Sequence, residues 1–278
     1  MMYINFINGV IYMKNETVVL ITGCSTGIGR ELCSILSERG YIVVATARNV
    51  ETLKDLPVSL KLSLDVTQKE SISVAMEEVI ARFKKIDILV NNAGYSTRGA
   101  LEEIDVRSAK SMFDVNVFGI INMIQVVVPE MRKKQFGKII NIGSISGKFV
   151  QPINGAYCAS KYAVEAISDA LRLELHNNNI QATVIEPGPI KTNFFKTMAN
   201  NSNNLMTNQD SYYSTFYEAD AKYRNDQNLT NLKEAAKTIV NIISKRRLKP
   251  RYKVAVPLAY NIAIHFPDFV REYFMKKR

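Results

Sequence analysis

Short apolar runs alternate with longer stretches of helical periodicity along most of this chain. The apolar runs predict strands at 18–22, 41–47, 59–64, 86–91, 138–144, 181–186 and 252–256. The stretches with helical periodicity predict helices at 27–39, 68–83, 107–134 and 156–177. Strands that are apolar throughout and alternate with helices are typical of a parallel sheet covered on both faces. We therefore predict a single doubly wound α/β sheet of about seven strands with helices on both faces.

Three segments depart from this rhythm. Residues 1–13 are expected to be a non-core N-terminal extension, arising from an upstream start codon or forming a weakly ordered tail, so that 14–278 is one domain. Residues 189–228 are rich in Asn and aromatic residues, which favours a lid over the substrate rather than a free linker. Residues 258–278 predict a C-terminal helical extension that is amphipathic and ends in basic residues. Packing on the core or on a dimer partner is the expected role, with a membrane-surface anchor as the alternative.

Composition narrows the class of protein. The 278 residues are 47% hydrophobic, and no run approaches the roughly 18 apolar residues of a membrane span. The three scattered cysteines and two histidines argue against a disulfide framework or metal site and suit a reducing, cytoplasmic compartment. The net charge of +10 could attract a polyanionic cofactor or an acidic protein. Since no basic stripe is interleaved with aromatics, we expect no nucleic-acid partner.

Three glycines follow the first predicted strand in the spacing G-x-x-x-G-x-G. They are Gly23, Gly27 and Gly29, and helical periodicity resumes directly after them. Glycine lets the backbone turn sharply and approach a ligand closely, and the unpaired amides of a helix N-terminus favour an anion. A diphosphate is the natural occupant, although the spacing alone also fits a turn without a ligand.

Polar or glycine residues follow six of the predicted strands. In a parallel sheet these positions share one edge, where doubly wound folds bind ligands. The agreement of six strand ends favours a Rossmann-type dinucleotide site over a lone glycine turn. The positions concerned are Gly23, Arg48, Asp65, Asn91 to Gly94, Ser144, and Pro187 with Gly188.

Tyr157 and Lys161 are four residues apart in a predicted helix and share one face. A cation beside a phenol favours the phenolate and lowers the tyrosine pKa, which suits proton exchange with an alcohol oxygen. Ser144, at a strand end, could hydrogen-bond the reacting carbonyl. A second pair with this spacing, Tyr273 and Lys277, lacks that context and is interpreted as chance.

Together these motifs resemble those of the short-chain dehydrogenase/reductase family over residues 16–195, with looser support to the C-terminus. The resemblance rests on residues in the family's order and spacing: Thr22, Gly23, Gly27, Ile28, Gly29, Asn91 to Gly94, Asn116, Ser144, Tyr157, Lys161, Pro187, Gly188 and Thr192.

The resemblance implies that Tyr157 is the general acid/base and that Lys161 lowers its pKa and binds the nicotinamide ribose. It implies that Ser144 orients the substrate oxygen and that Asn116 holds a water in a proton relay. The implied cofactor-binding residues are Gly23, Ser25, Thr26, Gly27, Ile28, Gly29, Arg48, Asp65, Val66, Asn92, Ala93, Gly94, Tyr157, Lys161, Pro187, Gly188 and Thr192.

The charge after the second strand bears on the choice of cofactor. Folds that prefer NAD usually place an acidic residue there, whereas this chain has Arg48. Its guanidinium, with the hydroxyl of Ser25, could pair with a 2′-phosphate. We therefore expect NADP(H) to be preferred over NAD(H); the alternative is that Arg48 is a solvated surface charge.

The substrate is less sharply defined. Within the family, the sequences around Gly23 and Arg48 resemble the 17-beta-hydroxysteroid and retinol dehydrogenase branch, which implies a lipophilic alcohol or ketone. Phe194 and Phe195, together with Ser144 and Tyr157, are the expected substrate contacts. A 3-oxoacyl-carrier-protein reductase and a non-catalytic nucleotide sensor on the same fold are the alternatives, and a homodimer or homotetramer is expected from the family.

Overall fold

Seven parallel strands form the central sheet. The computed structural model describes residues 4–7, 10–13, 16–225 and 229–276. A separate antiparallel pair, Ile4–Ile7 (β1) and Val10–Met13 (β2), precedes the sheet. The sheet strands are Val18–Ile21 (β3), Ile42–Ala47 (β4), Leu60–Ser63 (β5), Ile88–Asn91 (β6), Gly137–Ile142 (β7), Ile180–Pro187 (β8) and Arg251–Val254 (β9). Their order, β5-β4-β3-β6-β7-β8-β9, confirms the predicted doubly wound parallel sheet.

Helices cover both faces of the sheet, as predicted. The helices within the described residues are Gly27–Glu38 (α1), Lys69–Phe83 (α2), Val106–Phe113 (α3), Gly119–Lys133 (α4), Gly155–Glu174 (α5), Phe194–Met206 (α6), Ser214–Asn225 (α7), Leu232–Ile243 (α8), Leu258–Ala263 (α9) and Asp268–Lys276 (α10). One buried apolar cluster joins α1 and α8 to the sheet, and a second joins α2 and α4 to the opposite face. Burial of these two layers is the main stabilising contribution.

The strand order reverses at β3, which pairs with β4 on one side and with β6 on the other. Helices leave this point toward opposite faces, so a crevice opens between the loops that follow β3 and β6. The loop after β3 carries the glycine motif, and the loop after β6 carries Asn92 to Gly94. The topology therefore places both predicted motifs on the walls of one crevice.

The prediction of one continuous helix over 107–134 is wrong. The helical path continues through the region, but a π-helical turn, Asp114–Phe118, separates α3 from α4. By length and composition the stretch Val106–Lys133 could cross a membrane. In this fold, however, α4 packs on α2 and the sheet, and Asn116 of the π turn is buried. Residues buried in the core, among them Ile120, Met123 and Val127, account for part of the apolar character of this stretch.

The segment predicted as a lid contains α6 and α7, with residues 226–228 outside the described part of the chain. Its two ends meet at a parallel bridge between Ile190 and Thr230, where the N–H of Lys191 also donates to the Thr230 carbonyl (3.0 Å). Apolar periodicity did not predict α6, α7 or α8. In the C-terminal extension, α9 and α10 are described up to residue 276, so Lys277 and Arg278 lie outside the described residues.

Candidate active site

The glycine turn after β3 packs backbone against backbone. Gly23 and Gly27 have φ angles of +71° and +61°, which glycine adopts without strain. A Cβ on Gly23 would lie 2.7 Å from Cα of Ala93, and a Cβ on Gly29 would lie 2.3 Å from Nδ2 of Asn92. Any larger residue at these two positions would push the loops after β3 and β6 apart.

Side-chain hydrogen bonds join the same two loops. Nδ2 of Asn92 donates to the carbonyls of Thr22 and Gly23, both at 2.9 Å. The Thr22 hydroxyl accepts from the backbone N–H groups of Asn92 and Ala93, both at 3.0 Å. The side chain of Thr26, the N-cap residue of α1, makes no capping hydrogen bond. The first amides of α1 are thus open to an anion in a rigid cradle, which fits the diphosphate of a dinucleotide.

A cleft of about 1130 Å³ opens at the carboxyl ends of the strands. It brings together almost all the residues predicted for the site. The predicted residues that line it are Gly23, Ser25, Thr26, Gly27, Ile28, Arg48, Asp65, Val66, Asn92, Ala93, Gly94, Ser144, Tyr157, Lys161, Pro187, Gly188, Thr192, Phe194 and Phe195. Gly29 and Asn116 are not among the lining residues. Gly29 packs against Asn92, and Asn116 is buried behind Gly94.

Tyr157 lies on α5 and is buried, with 8% of the residue exposed. Burial raises the pKa of its phenol to about 12, although a hydrogen bond with Ser144 acts in the opposite direction. Lys161 is not among the groups that shift this pKa, so the lowering by the lysine that the resemblance implies stays a prediction. The phenol is protonated at neutral pH, which is the state needed to donate a proton to a carbonyl oxygen.

Lys161 lies one helical turn further along α5. Its Nζ lies 5.8 Å from the centre of the Tyr157 ring and donates to the backbone carbonyl of Ile142 (2.9 Å). Burial lowers the pKa of the ammonium to about 8, and the nearby carboxylate of Glu165 opposes that shift. The lysine consequently carries a positive charge at neutral pH, close to the phenol and to the loop that carries Ser144.

Asn116 lies in the π-helical turn and holds the loop after β6. Its Nδ2 donates to the Tyr95 carbonyl (2.9 Å) and to the Ser160 hydroxyl (3.1 Å), while its Oδ1 accepts from the Tyr95 N–H (3.0 Å). Ser160 precedes Lys161, so Asn116 ties the loop to the helix of the catalytic pair. The water relay implied by the resemblance stays a prediction.

Aromatic side chains cover the inner end of the cleft. Phe194, the first residue of α6, lies with its ring centre 5.8 Å from that of Tyr157, and Phe195 stacks edge-on against it at 6.2 Å. The Thr192 hydroxyl accepts from the Phe194 N–H (3.1 Å), which sets the start of α6 close to Gly27. The reacting end of the cleft is thus apolar on the side facing the tyrosine.

The protein-family model described as short chain dehydrogenase matches residues 17–203. A probable short-chain type dehydrogenase/reductase, VdlC, of Helicobacter pylori is 33% identical over 89% of this chain and 92% of its own length. A 3-ketodihydrosphingosine reductase of Bacteroides thetaiotaomicron is 35% identical over 85% of this chain and 87% of its own. A short chain dehydrogenase from Burkholderia cenocepacia, solved in complex with NADP, is 25% identical, with a TM-score of 0.74, and the match covers 93% of this chain and 97% of that one.

The chain belongs to the short-chain dehydrogenase/reductase family. It is an oxidoreductase that acts on CH–OH groups with NAD(P) as the acceptor. Family membership therefore favours the enzyme over the non-catalytic nucleotide sensor considered from sequence.

In this dehydrogenase, the far end of the cleft holds the residues predicted to bind the adenosine half of the cofactor. Arg48 follows β4, is exposed, and makes no salt bridge within the described part of the chain. The Asp65 carboxylate accepts from the backbone N–H (2.9 Å) and the hydroxyl (2.8 Å) of Thr67. Arg48 is the charged residue that lines the cleft directly after β4. The charge at this part of the cleft wall is therefore positive.

The dehydrogenase cleft is also lined by residues that sequence reasoning missed. They include Ser96, Arg98, Phe149, Gln151, Asn154, Asn201 and Tyr260. Asn154 stands three residues before Tyr157, and its nearness to the tyrosine in the sequence could have marked it as a lining residue. No comparable signal marks Ser96 or Tyr260, because they reach the cleft only through the packing of separate segments.

Proposed function

We propose that this enzyme is an NADP(H)-dependent oxidoreductase that transfers a hydride between the nicotinamide and a lipophilic alcohol or ketone of steroid-, retinoid- or lipid-like character. The observation that carries the proposal is the Tyr157 phenol, which lines the dinucleotide cleft together with Ser144 and is covered by the ring of Phe194. An apolar wall beside a proton donor suits a carbonyl on a hydrophobic body.

Each catalytic side chain has a defined task in carbonyl reduction. When bound, the reduced nicotinamide supplies the hydride that adds to the carbonyl carbon. The Ser144 hydroxyl orients the carbonyl oxygen, and Tyr157 Oη gives that oxygen its proton as negative charge develops. The ammonium of Lys161 stabilises the resulting phenolate until it takes a proton from solvent. Oxidation of the alcohol runs through the same groups in reverse.

The preference for NADP(H) rests on Arg48 and Ser25. Both line the adenosine end of the cleft, and the guanidinium matches the fork geometry of a 2′-phosphate. An NAD-binding wall of this fold would usually carry an acidic residue just after β4, which the sequence lacks. The net charge of +10 also favours a cofactor with the additional phosphate.

The lipophilic substrate is supported by Phe149, Phe194 and Phe195, which line the cleft near Tyr157. The name of one relative, 3-ketodihydrosphingosine reductase, fits a lipid-like substrate of this class. We further propose a cytoplasmic homodimer or homotetramer with peripheral membrane contact through the C-terminal helix. Exposed apolar side chains on that extension support the contact: Leu258, Ile262, Phe266, Phe269 and Tyr273.

A substrate panel tests the proposal. Purified enzyme is offered steroid, retinoid and medium-chain ketones and a 3-oxoacyl thioester, with NADPH or NADH, and nucleotide oxidation is followed by absorbance. We expect turnover of at least one lipophilic ketone, with higher kcat/KM for NADPH. Turnover of the thioester alone would favour the 3-oxoacyl-carrier-protein reductase alternative, and higher kcat/KM with NADH would contradict the cofactor assignment.

A further inference from the structure

Two buried polar atoms in the cleft have no hydrogen-bond partner among the described residues. They are the Ser96 hydroxyl oxygen and Oδ1 of Asn154, whose residues are 2% and 3% exposed. Both residues line the same cleft as Tyr157. Because an unpaired buried polar group is costly, each such atom in a folded protein requires an explanation.

Asn154 stands where its side chain would ordinarily serve the helix. It is the N-cap residue of α5, and asparagine at that position usually accepts from an amide of the first turn. Here its side chain makes no capping hydrogen bond. Asn154 stands directly before the first turn of α5, three residues from Tyr157, and both residues line the cleft. The unpaired carboxamide oxygen therefore belongs to the part of the cleft wall that carries the tyrosine.

Backbone contacts fix the position of both residues. Ile153 has a φ angle of +54°, which is costly for a β-branched residue, and its carbonyl accepts from the Gly99 N–H (2.9 Å). On the other loop, the Ser96 carbonyl accepts from Nδ2 of Asn201 (3.3 Å). On these two loops the contacts use main-chain atoms, so they do not occupy the side chains of Ser96 and Asn154. Strained backbone of this kind concentrates at functional sites.

We propose that Asn154 and Ser96 are specificity-determining residues that bind a hydroxyl or amino group on the substrate carbon next to the reacting carbon. The inference rests on the proposed function and narrows its substrate class to lipophilic ketones, or the corresponding alcohols, with a vicinal hydrogen-bonding substituent. Oδ1 of Asn154 accepts the substituent's hydrogen, and the Ser96 hydroxyl can accept from it or donate to it. A site built to pair with such a group discriminates strongly against analogues that lack it.

Three matched ketones test this inference. A medium-chain methyl ketone is compared with the same ketone bearing either a hydroxyl or an amino group on the methyl carbon. We expect the wild-type kcat/KM to be at least about tenfold higher for one substituted ketone than for the plain one. The two substituted ketones distinguish a hydroxyl from an amino group as the recognised substituent.

Variants assign the preference to the two residues. Asn154→Leu should reduce the ratio of kcat/KM for the substituted over the plain ketone to near one. Ser96→Ala should lower the same ratio in part. Asn154→Asp keeps an acceptor and should retain the preference, most strongly for the amino ketone. Ser37→Ala removes another buried unpaired hydroxyl, on α1 and outside the cleft lining, and should leave the ratio unchanged. NADPH binding, measured by fluorescence, shows that each variant is folded.

Two results would overturn the inference. One is equal kcat/KM for the plain and the substituted ketones in the wild type. The other is an Asn154→Leu variant that binds NADPH and keeps the wild-type ratio of kcat/KM for the substituted over the plain ketone. Turnover of all three ketones at similar rates would leave the proposed function intact and remove only the inference. Absence of turnover on every lipophilic ketone would remove both.

Discussion

Burial shifts the pKa values of the catalytic tyrosine and lysine in opposite directions. It raises the pKa of Tyr157 to about 12 and lowers that of Lys161 to about 8, because a low-dielectric surrounding favours the neutral form of each. At pH 7 the phenol is therefore neutral. The amine of Lys161 still carries its proton, because its pKa stays above 7. This is the combination that reduction requires, a proton on the donor and a cation ready to stabilise the phenolate.

Removal of the Tyr157 hydroxyl should strongly reduce catalysis and leave binding of the cofactor almost unchanged. We expect Tyr157→Phe to lower kcat by about 10²–10⁴, the usual worth of a positioned acid/base, while the Kd for NADPH changes little. The phenyl ring can keep its contact with Phe194, so the fold is preserved. Steady-state rates and fluorescence titration make the test, with Tyr162→Phe on the same helix as the control. A variant with most of the wild-type kcat would exclude Tyr157 as the proton donor.

Reversal of one charge should reverse the cofactor preference. We expect Arg48→Glu to raise the KM for NADPH by about 10- to 100-fold, in line with the loss of a charge-assisted hydrogen bond and the gain of a repulsion. The KM for NADH should change much less. Arg39→Glu, at the exposed C-terminal end of α1, makes the same charge change away from the cleft and should have no such effect. Equal effects on both cofactors would assign Arg48 to the surface instead.

At the residue scale, the sequence predicted positions better than properties. Helical spacing was enough to pair Tyr157 with Lys161, because four residues make about one turn. It could not predict the direction of the tyrosine pKa shift, which depends on burial beneath Phe194. Nor could it predict that Lys161 donates to the Ile142 carbonyl, since that contact requires the packing of α5 on the sheet.

Among the elements, the π-helical turn has the clearest functional consequence. A turn with i→i+5 hydrogen bonds inserts one residue into the helix and rotates the side chains that follow. It presents Asn116 to Tyr95 and Ser160 rather than to the sheet. The apolar periodicity of 107–134 predicted one continuous helix, because a single inserted residue leaves the amphipathic pattern almost unchanged on both sides.

The two helices of the lid segment are anchored to the loop after β6. The Tyr217 hydroxyl on α7 donates to Oε2 of Glu103 (2.6 Å) and accepts from the Ala100 N–H (3.0 Å), and its ring is 1% exposed. On α6, the Ser202 hydroxyl accepts from the Arg98 N–H (2.6 Å), and Arg98 also forms a buried ion pair with Asp220. These contacts hold the segment against the wall of the cleft.

Loss of one hydroxyl should therefore loosen the segment. Tyr217→Phe leaves the buried Ala100 N–H without its acceptor, at a cost of about 1–3 kcal/mol. We expect faster limited proteolysis within 189–228 and a higher KM for the lipophilic substrate, with the Kd for NADPH unchanged. Tyr212→Phe makes the same chemical change at a residue that is 87% exposed and serves as the control. Equal proteolysis of the two variants would show that the Tyr217 hydroxyl does not hold the segment.

For the whole molecule, the sheet was predictable and its covering was not. The buried strands of a parallel sheet are short apolar runs, and each predicted strand lies within about two residues of the observed one at each end. Alternation with helices then fixes the doubly wound topology and the cleft at its edge. The insertion after β8 is polar and Asn-rich, so its helices depend on contacts with the loop after β6 and could not be identified from periodicity.

The charge of Lys161 should also be visible in the stability of the whole chain. Its pKa is about 8 in the folded state, below the roughly 10.4 of an unfolded lysine. Below pH 8 both states are protonated, and the folded state bears the full cost of a buried ammonium. Between about pH 8 and 10.4 the unfolded state binds more protons, so the free energy of unfolding rises with pH. The expected gain from this residue between pH 7 and pH 10 is about 2–3 kcal/mol.

Lys161→Met isolates that contribution, because the other titrating groups are common to both proteins. We expect urea unfolding to show the wild type gaining about 2–3 kcal/mol on the variant between pH 7 and pH 10, whatever their offset at pH 7. Parallel pH profiles would mean that Lys161 is not held at a lowered pKa in the folded chain. A divergence of the expected sign would show that the fold gives up stability at neutral pH to keep an ammonium beside the phenol. That ammonium would then be retained for catalysis, since a methionine of similar volume would satisfy the packing.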